Sequence, residues 1–379
     1  MSKYIELVNL TKYHIIFLLV PLFYVSVHYL HKKQNKIYKR YKDIWEDCHE
    51  NSSGKYKCLE LHEFAFFFNI FFPKLLSIFP YLIFGSEKNN NLVSAQTIKI
   101  RNNNINVTQN TKKAIMIILL IIICMLEIFY RIESFSKNEK TKNFIDIKLG
   151  NIFLLPIFSF FIINDKIHRH HIFSFILSFL GIVFICVFLN SIYQNRDYYK
   201  GEIRYFGEQM KHLSFSIFSS LALILSKLLF YNLNSTFFYL FYDGIICITL
   251  SLFFALLEID HFGEDLIDIL VLFSTVKLDF LFFGITFLSF CYYLSSSLII
   301  YHFSPNHLMI SEALCLFLRW IIEMLFENKI ENEDKSIIII KIIGFLIIFI
   351  SSLIYNEYLI LHFFDCDNIQ YIMDNDKLI

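Results

Sequence analysis

The chain lacks an excess of charge of either sign, since 34 basic and 34 acidic residues give a formal net charge of zero. A nucleic-acid-binding domain usually carries a clear basic excess, so the overall balance argues against nucleic acid as a partner. The charged residues collect instead in segments between long apolar runs. This is the distribution expected when connections lie in water and spans lie in lipid.

Motifs for metal binding and catalysis are also lacking. The eight cysteines include no Cys-x-x-Cys pair and no Cys/His spacing typical of a zinc site. His62-Glu63 lacks the second histidine of a His-Glu-x-x-His site, and the chain has neither a Gly-x-Ser-x-Gly motif nor a P-loop. Tyr242-Asp243 resembles half of an intramembrane aspartyl protease site, but the Gly-x-Gly-Asp partner is missing. We therefore predict that the protein is not an enzyme and needs no metal or cofactor.

Apolar side chains, by contrast, are abundant. They make up 56% of the 379 residues, against roughly 45–50% in a typical soluble protein, and the mean hydropathy is +0.52. A helix needs roughly 20 mainly apolar residues to cross the hydrocarbon core, and this length predicts ten transmembrane helices. They are Tyr13–Leu30, His62–Phe84, Ala114–Tyr130, Lys148–Ile163, His171–Leu189, His212–Tyr231, Thr236–Leu257, Phe280–Tyr301, His307–Phe326 and Ile337–Tyr355.

The runs are continuous rather than alternating, which favours an all-α membrane fold. Five cysteines fall inside them, where we predict that they act as small hydrophobic side chains. These are Cys124, Cys186, Cys247, Cys291 and Cys315. The first run ends in His31-Lys32-Lys33 rather than in the small residues of a cleavage site, so we expect it to be retained as a helix.

The connections suggest a division into two halves with five predicted spans each. The first half is 1–190, with long polar loops at 31–61 and 87–113; a linker at 191–211 precedes the second half at 212–364, and a polar tail occupies 365–379. The connection 258–279 is acidic and contains a short apolar stretch, Leu266–Phe273. Such a stretch favours a helix lying at the membrane interface.

A weak internal repeat relates the halves. Gly181 stands fifteen residues after Lys166, and Gly344 stands fifteen residues after Lys329, at an offset of 163 residues between the two pairs. An odd number of helices per half inverts the second copy, and inverted repeats are typical of secondary transporters. The alternative is a chance match of two apolar helices that each contain a glycine.

At this point the chain resembles the drug/metabolite transporter superfamily, in its branch of nucleotide-sugar-transporter-like solute carriers. Four segments carry the resemblance: Lys166-Ile167-His168-Arg169-His170-His171 followed by Ile172–Phe184 with Gly181; Tyr242-Asp243-Gly244; Ser304-Pro305-Asn306 leading to Ser311-Glu312; and Tyr355-Asn356-Glu357. The similarity covers roughly residues 145–364.

The resemblance implies ten helices in two inverted halves, working by alternating access on a small organic and often anionic metabolite such as a nucleotide sugar or a sugar phosphate. It also implies an endomembrane (Golgi or ER) or organelle location, with both termini in the cytosol. The distribution of Lys and Arg argues for the opposite orientation, so the orientation stays open. A homodimer stays open as well. The alternative function is a non-transporting membrane scaffold or assembly protein on the same fold.

Ionisable residues inside predicted spans are costly and therefore candidates for the site. We predict that Lys74, Lys227 and Arg319 bind an anionic group of the substrate, since Lys and Arg are the usual anion-binding side chains. Glu312 and Asp243 are predicted to be their resting partners or proton carriers. The alternative is that buried pairs among them only fix the helix register.

One further acid, Glu127, lies late in the third span with Arg131 four residues on. This spacing places the two side chains on one helical face. We therefore predict a solvated pair there rather than a part of the site.

Overall fold

The protein is nearly all helical wherever its structure is described. A computed structural model describes residues 5–7, 12–45, 63–84, 97–100, 103–106, 109–136, 147–163, 169–194, 202–230, 235–257, 259–327, 335–355 and 358–361. The helices in these ranges are α1 (Lys12–Trp45), α2 (Glu63–Leu75), α3 (Ile78–Phe84), α4 (Gln109–Ser136), α5 (Ile147–Phe158), α6 (Arg169–Gln194), α7 (Glu202–Phe230), α8 (Thr236–Leu257), α9 (Ile259–Ser274), α10 (Val276–His302), α11 (Pro305–Glu327) and α12 (Lys335–Tyr355).

Four of the described helical segments are long and apolar enough to cross a membrane. They are Ile15–Tyr38, Phe64–Ile83, Thr236–Leu257 and Val276–His302. Shorter apolar helical stretches occur at Leu154–Ile163, Ser216–Phe230 and Ile342–Tyr355. Large apolar side chains also face outward along single helices, such as Phe280, Phe283 and Phe287 on α10. A surface of this kind needs lipid around it, and the protein is therefore a helical membrane protein.

Each of the ten predicted spans falls on a described helix. The second predicted span is divided between α2 and α3, and the fourth continues from α5 into a π-helical turn at Ser159–Ile163. The acidic connection 258–279 contains α9, so the prediction of a helix there is confirmed, and that helix is longer than the apolar stretch alone indicated.

The predicted loops are shorter than expected. The prediction of a loop at 31–61 is wrong for residues 31–45, because α1 continues to Trp45. Its polar extension is stabilised by other helices: Asn69 of α2 donates to Gln34 at 2.8 Å, and Tyr38 donates to Asp268 of α9. Position 46 and the rest of that loop lie outside the described residues.

Two other predicted connections also contain regular structure. The loop 87–113 includes a hairpin of β2 (Thr97–Ile100) and β3 (Asn103–Asn106), and α4 begins before the loop ends. The linker 191–211 overlaps the end of α6 and the start of α7. The predicted tail 365–379 lies outside the described residues.

The first and last described segments form a short sheet. Strand β1 (Ile5–Leu7) pairs antiparallel with β4 (Leu359–Leu361), with Ile5 opposite Leu361.

Helix neighbours form a regular pattern. Helix α1 packs against α10 and α11, whereas α7 packs against α4 and α5. Helix α2 packs against α10, and α8 packs against α4. Three further contacts are α2 with α8, α5 with α11, and α6 with α12.

The α6–α12 contact is built on small residues. A Cβ added to Gly181 would lie 2.9 Å from Ile348 Cγ1 and 3.1 Å from the carbonyl oxygen of Gly344. Further along, Ser174 Oγ donates to the carbonyl oxygen of Ser351, and Ser351 Oγ donates to that of Ser174, both at 2.7 Å. The helices run antiparallel. Small residues and side-chain hydrogen bonds are the usual means by which helices associate in lipid.

Replacing Gly181 with Ala tests this contact. The added methyl group meets a side chain and a backbone carbonyl, and we expect overpacking to lower the free energy of unfolding by about 1–3 kcal/mol. Thermal unfolding of the detergent-purified protein measures the effect. The matched control is Gly284→Ala, whose new methyl group has its nearest neighbour at 3.6 Å. Equal melting temperatures for the two variants would contradict the close contact.

Candidate functional site

The candidate site begins at a break in the second predicted span. After Pro73 the chain turns: the N–H of Leu76 donates to Pro73 and that of Ser77 to Lys74, both at 3.2 Å. Ser77 Oγ also donates to the Lys74 carbonyl at 2.7 Å. The break arises where Pro73 and Pro80 interrupt the apolar run, since proline cannot donate to the helix ladder. It leaves Lys74 near the middle of the segment Phe64–Ile83.

Lys74 is the centre of a buried ion-pair cluster. Its side chain is 2% exposed, and its ammonium donates to Asp243 on α8 and, at 2.7 Å, to Glu127 on α4. The ammonium also lies 5.1 Å from the ring centroids of Phe71 and Tyr293. One cation therefore joins α2, α4 and α8 inside an apolar bundle. We name Lys74, Glu127 and Asp243 the charged triad.

Two thiols complete the surroundings of Asp243. Cys124 Sγ on α4 donates to Asp243 Oδ1 at 3.1 Å, and Cys247 Sγ, one turn along α8, lies 3.8 Å from the same oxygen. Both cysteines are fully buried. The sequence predicted small hydrophobic side chains at these positions, whereas both thiols are directed at a carboxylate. Asp243 thus has partners on both oxygens.

These three side chains are also a possible metal-ligand group. The ligand atoms of Cys124, Asp243 and Cys247 lie within 4.8 Å of one another. Two sulfurs and one carboxylate suit a soft or borderline ion such as Zn²⁺. The Lys74 ammonium already occupies the cation position at Asp243, however, and a divalent ion there would face it directly. We therefore treat the group as the lining of the charged triad.

Gly244 explains how α2 and α8 come so close. A Cβ at this position would lie 2.9 Å from Lys74 Cβ and 3.1 Å from Leu75 Cδ2. The sequence Tyr242-Asp243-Gly244 therefore combines the acid that pairs with Lys74 and the small residue that lets the lysine reach it.

Lys227 lies at a different place. Its ammonium, at the C-terminal end of α7, donates to the carbonyl oxygens of Ile300 at 2.7 Å, Tyr301 at 2.9 Å and Phe303 at 2.6 Å. These belong to the last turn of α10 and the residue after it, where helix carbonyls lack partners within the helix. A structural role of Lys227 accounts for these contacts. The role of Lys227 in binding an anion stays a prediction.

The remaining predicted residues are on α11. Glu312 is buried and accepts a hydrogen bond from Tyr292 of α10. The side chain of Arg319 lies outside the described residues. The structure thus brings Lys74 and Asp243 together, places Lys227 and Glu312 in separate contacts, and leaves Arg319 undescribed.

Glu127 was not predicted as part of the site. We expected a solvated pair with Arg131, but its carboxylate lies in the triad with Lys74, and the side chain is 22% exposed. The side chain of Arg131 lies outside the described residues. The available signal was an acid inside an apolar run, the same signal that marked Asp243.

No protein-family model matches the chain, and the curated proteins contain no match to it.

Replacing Lys74 with Met tests the triad. Two carboxylates then remain in the interior without their cation, and we expect the free energy of unfolding to fall by about 3–5 kcal/mol. Lys277→Met, at an exposed position of α10, is the control and should unfold like the wild type. Adding Asp243→Asn to Lys74→Met should restore part of the loss. Equal stability of Lys74→Met and Lys277→Met in thermal unfolding would argue against the ion pairs.

Replacing Lys227 with Met tests the contact with α10. Three carbonyls lose a charged donor, and buried acceptors without a donor cost about 1–3 kcal/mol each. Thermal unfolding should therefore shift down relative to the same Lys277→Met control. A melting temperature equal to that of the control would argue against a structural role of Lys227 and favour a role in binding substrate.

Proposed function

We propose that the protein is a secondary transporter that moves a small organic metabolite across an intracellular membrane by alternating access. Its ten spans form two inverted halves of five. The first half is α1, α2 with α3, α4, α5 and α6; the second is α7, α8, α10, α11 and α12. The substrate binds at the charged triad. Nucleotide sugars and sugar phosphates are the proposed class of cargo.

The pattern of helix neighbours supports two related halves. Exchanging each helix for its counterpart turns the α1–α10 contact into α7–α4, the α1–α11 contact into α7–α5, and the α2–α10 contact into α8–α4. The contacts α2–α8, α5–α11 and α6–α12 each join a helix to its own counterpart. Gly181 and Gly344, which the sequence offset relates, touch each other at the last of these.

The observation that carries the proposal is the position of the charged triad. Lys74 and Asp243 belong to α2 and α8, the second span of each half, so their ion pair lies where the two halves meet. Inverted-repeat transporters place the substrate near the midplane at this interface. A buried charge inside a membrane is retained at a cost of a few kcal/mol, which favours a functional role.

The broken helix at Lys74 supports the same location. Transporter sites are typically formed by discontinuous helices, whose free backbone groups line the cavity. Here α2 ends at Leu75, one residue after Lys74, and the turn hydrogen bonds of Leu76 and Ser77 replace those of a continuous helix. The second span is therefore interrupted beside the residue that carries the cation.

An anionic cargo must compete for Lys74. Both of its carboxylate partners lie within the protein and take two of its three N–H donors, so a phosphate group competes with them for the ammonium. Glu127 is the more exposed of the two, at 22% against 1% for Asp243. A phosphate is therefore expected to replace Glu127 first.

Uptake into proteoliposomes tests the function. We expect saturable uptake of at least one radiolabelled nucleotide sugar or sugar phosphate, and a loss of at least tenfold in Lys74→Met, because the substrate loses its cation. Lys277→Met, at an exposed position near the start of α10, should transport like the wild type. Uptake must be normalised to correctly folded protein measured by gel filtration.

Two results would contradict the proposal. Absence of saturable uptake for the whole panel, together with no substrate-dependent thermal shift, would favour the non-transporting scaffold. Equal uptake by Lys74→Met and the control would show that the triad is not part of the transport site.

A further inference from the structure

The outward face of α1 changes from apolar to basic along the helix. Ile15, Leu18 and Leu22 are exposed apolar side chains. Further along, Lys33 and Lys36 are exposed. The two lysines stand eleven and fourteen residues after Leu22, and both spacings return to the same side of a helix. A single face of α1 therefore carries an apolar stripe and then a basic one.

The change occurs at the depth where a bilayer core ends. Lys33 lies eighteen residues after Ile15, and Lys36 lies twenty-one residues after it. These separations correspond to about 27 Å and about 32 Å along a helix, and the hydrocarbon core is about 30 Å thick. A core that begins near Ile15 therefore ends at the level of the two lysines, whose long side chains can extend toward the headgroups.

Helix α10 gives an independent measure of this depth. It runs antiparallel to α1: the ring of Phe303, which follows α10, lies 5.0 Å from that of Phe17. Further along the pair, a Cβ on Gly284 would lie 3.6 Å from Leu30 Cδ1. Phe283, next to Gly284, is 64% exposed. Apolar surface suited to lipid thus extends to the level of Leu30, just before the lysines begin.

The opposite face of the same segment is attached to the protein. Gln34 is buried and accepts a hydrogen bond from Asn69 of α2 at 2.8 Å, and Tyr38 is buried and donates to Asp268 of α9. These contacts hold this part of α1 against the bundle. Its basic face is therefore fixed at the surface of the protein.

The basic face has no protein anion among the described residues, since neither Lys33 nor Lys36 forms an ion pair there. The ammonium of Lys33 lies 4.7 Å from the ring centroid of Tyr29. In sequence, residues 32–42 include six basic residues and no acidic one. A cluster of roughly four to eight Lys and Arg residues at the end of a span is typical of proteins that bind anionic phospholipids.

We propose that Lys33 and Lys36 bind the headgroup of an anionic phospholipid at the end of the first span. The phosphate of the lipid accepts hydrogen bonds from the two ammonium groups, and its acyl chains lie along the apolar stripe that precedes them. The continuity of the two stripes favours a lipid over an acidic soluble protein, because a soluble partner needs a basic face that lies clear of the bilayer. This site does not depend on the proposed transport function.

Titration with lipid, followed by native mass spectrometry of the detergent-purified protein, tests the site. The probes are phosphatidylserine and phosphatidylcholine in equal amounts, and the wild type should retain phosphatidylserine in preference. The double variant Lys33→Gln/Lys36→Gln should bind phosphatidylserine about 25-fold more weakly, since each lysine near an anionic surface contributes a factor of about five. Raising the salt concentration should reduce the difference.

Two controls separate charge and position. Lys33→Arg/Lys36→Arg keeps both charges and should bind phosphatidylserine like the wild type. Lys277→Gln removes a lysine from an exposed position of α10 and should keep the preference. An unchanged preference for phosphatidylserine in Lys33→Gln/Lys36→Gln would overturn the proposal, and so would an equal loss in Lys277→Gln.

Thermal unfolding distinguishes the lipid from a free anion. A ligand that binds only the folded state raises the melting temperature, so phosphatidylserine should stabilise the wild type more than phosphatidylcholine does. Lys33→Gln/Lys36→Gln should unfold like the wild type without lipid, because both lysines are exposed, and should lose the extra stabilisation. Soluble glycerophosphoserine, which lacks acyl chains, should have no effect. Equal stabilisation by glycerophosphoserine and phosphatidylserine would overturn the lipid as the ligand.

Discussion

The ion pair between Lys74 and Asp243 is the interaction on which the centre of the protein depends. A lysine at membrane depth cannot reach water from the middle of its span, so it needs an anion at short range. Asp243 supplies it from α8, and Gly244 beside it lets the two helices approach closely enough. Glu127 adds a second anion from α4. Removing Lys74 would leave two carboxylates in the interior without their cation, and the ion pairs join three helices.

The same constraint gives the site its chemistry. One cation between two acids can be shared or exchanged, whereas a single neutral pair would be fixed. Around it, the second span is interrupted one residue after Lys74, and α6 meets α12 in a close contact at Gly181 and Gly344. In the proposed transport cycle, the two halves move about this centre.

Much of the helical framework could be predicted from apolar runs, because a span must satisfy its backbone within its own segment. Lys74 and Asp243 were predictable as ionisable residues inside such runs. Their pairing was not, because 169 residues separate them and no local pattern reports a contact at that range. For the same reason, the sequence could not predict that Cys124 donates to Asp243. It could not predict the backbone acceptors of Lys227 either. The extension of α1 past Leu30 was missed because its polar face packs on α2 and α9 rather than on lipid.

The most direct measurement is a structure of the protein in lipid nanodiscs with a bound anionic substrate. The account predicts substrate density within hydrogen-bond distance of Lys74 Nζ, between α2 and α8, with Asp243 retained and Glu127 displaced from the ammonium. Substrate density elsewhere, with Lys74 still held by both carboxylates, would contradict the claim that the charged triad is the transport site.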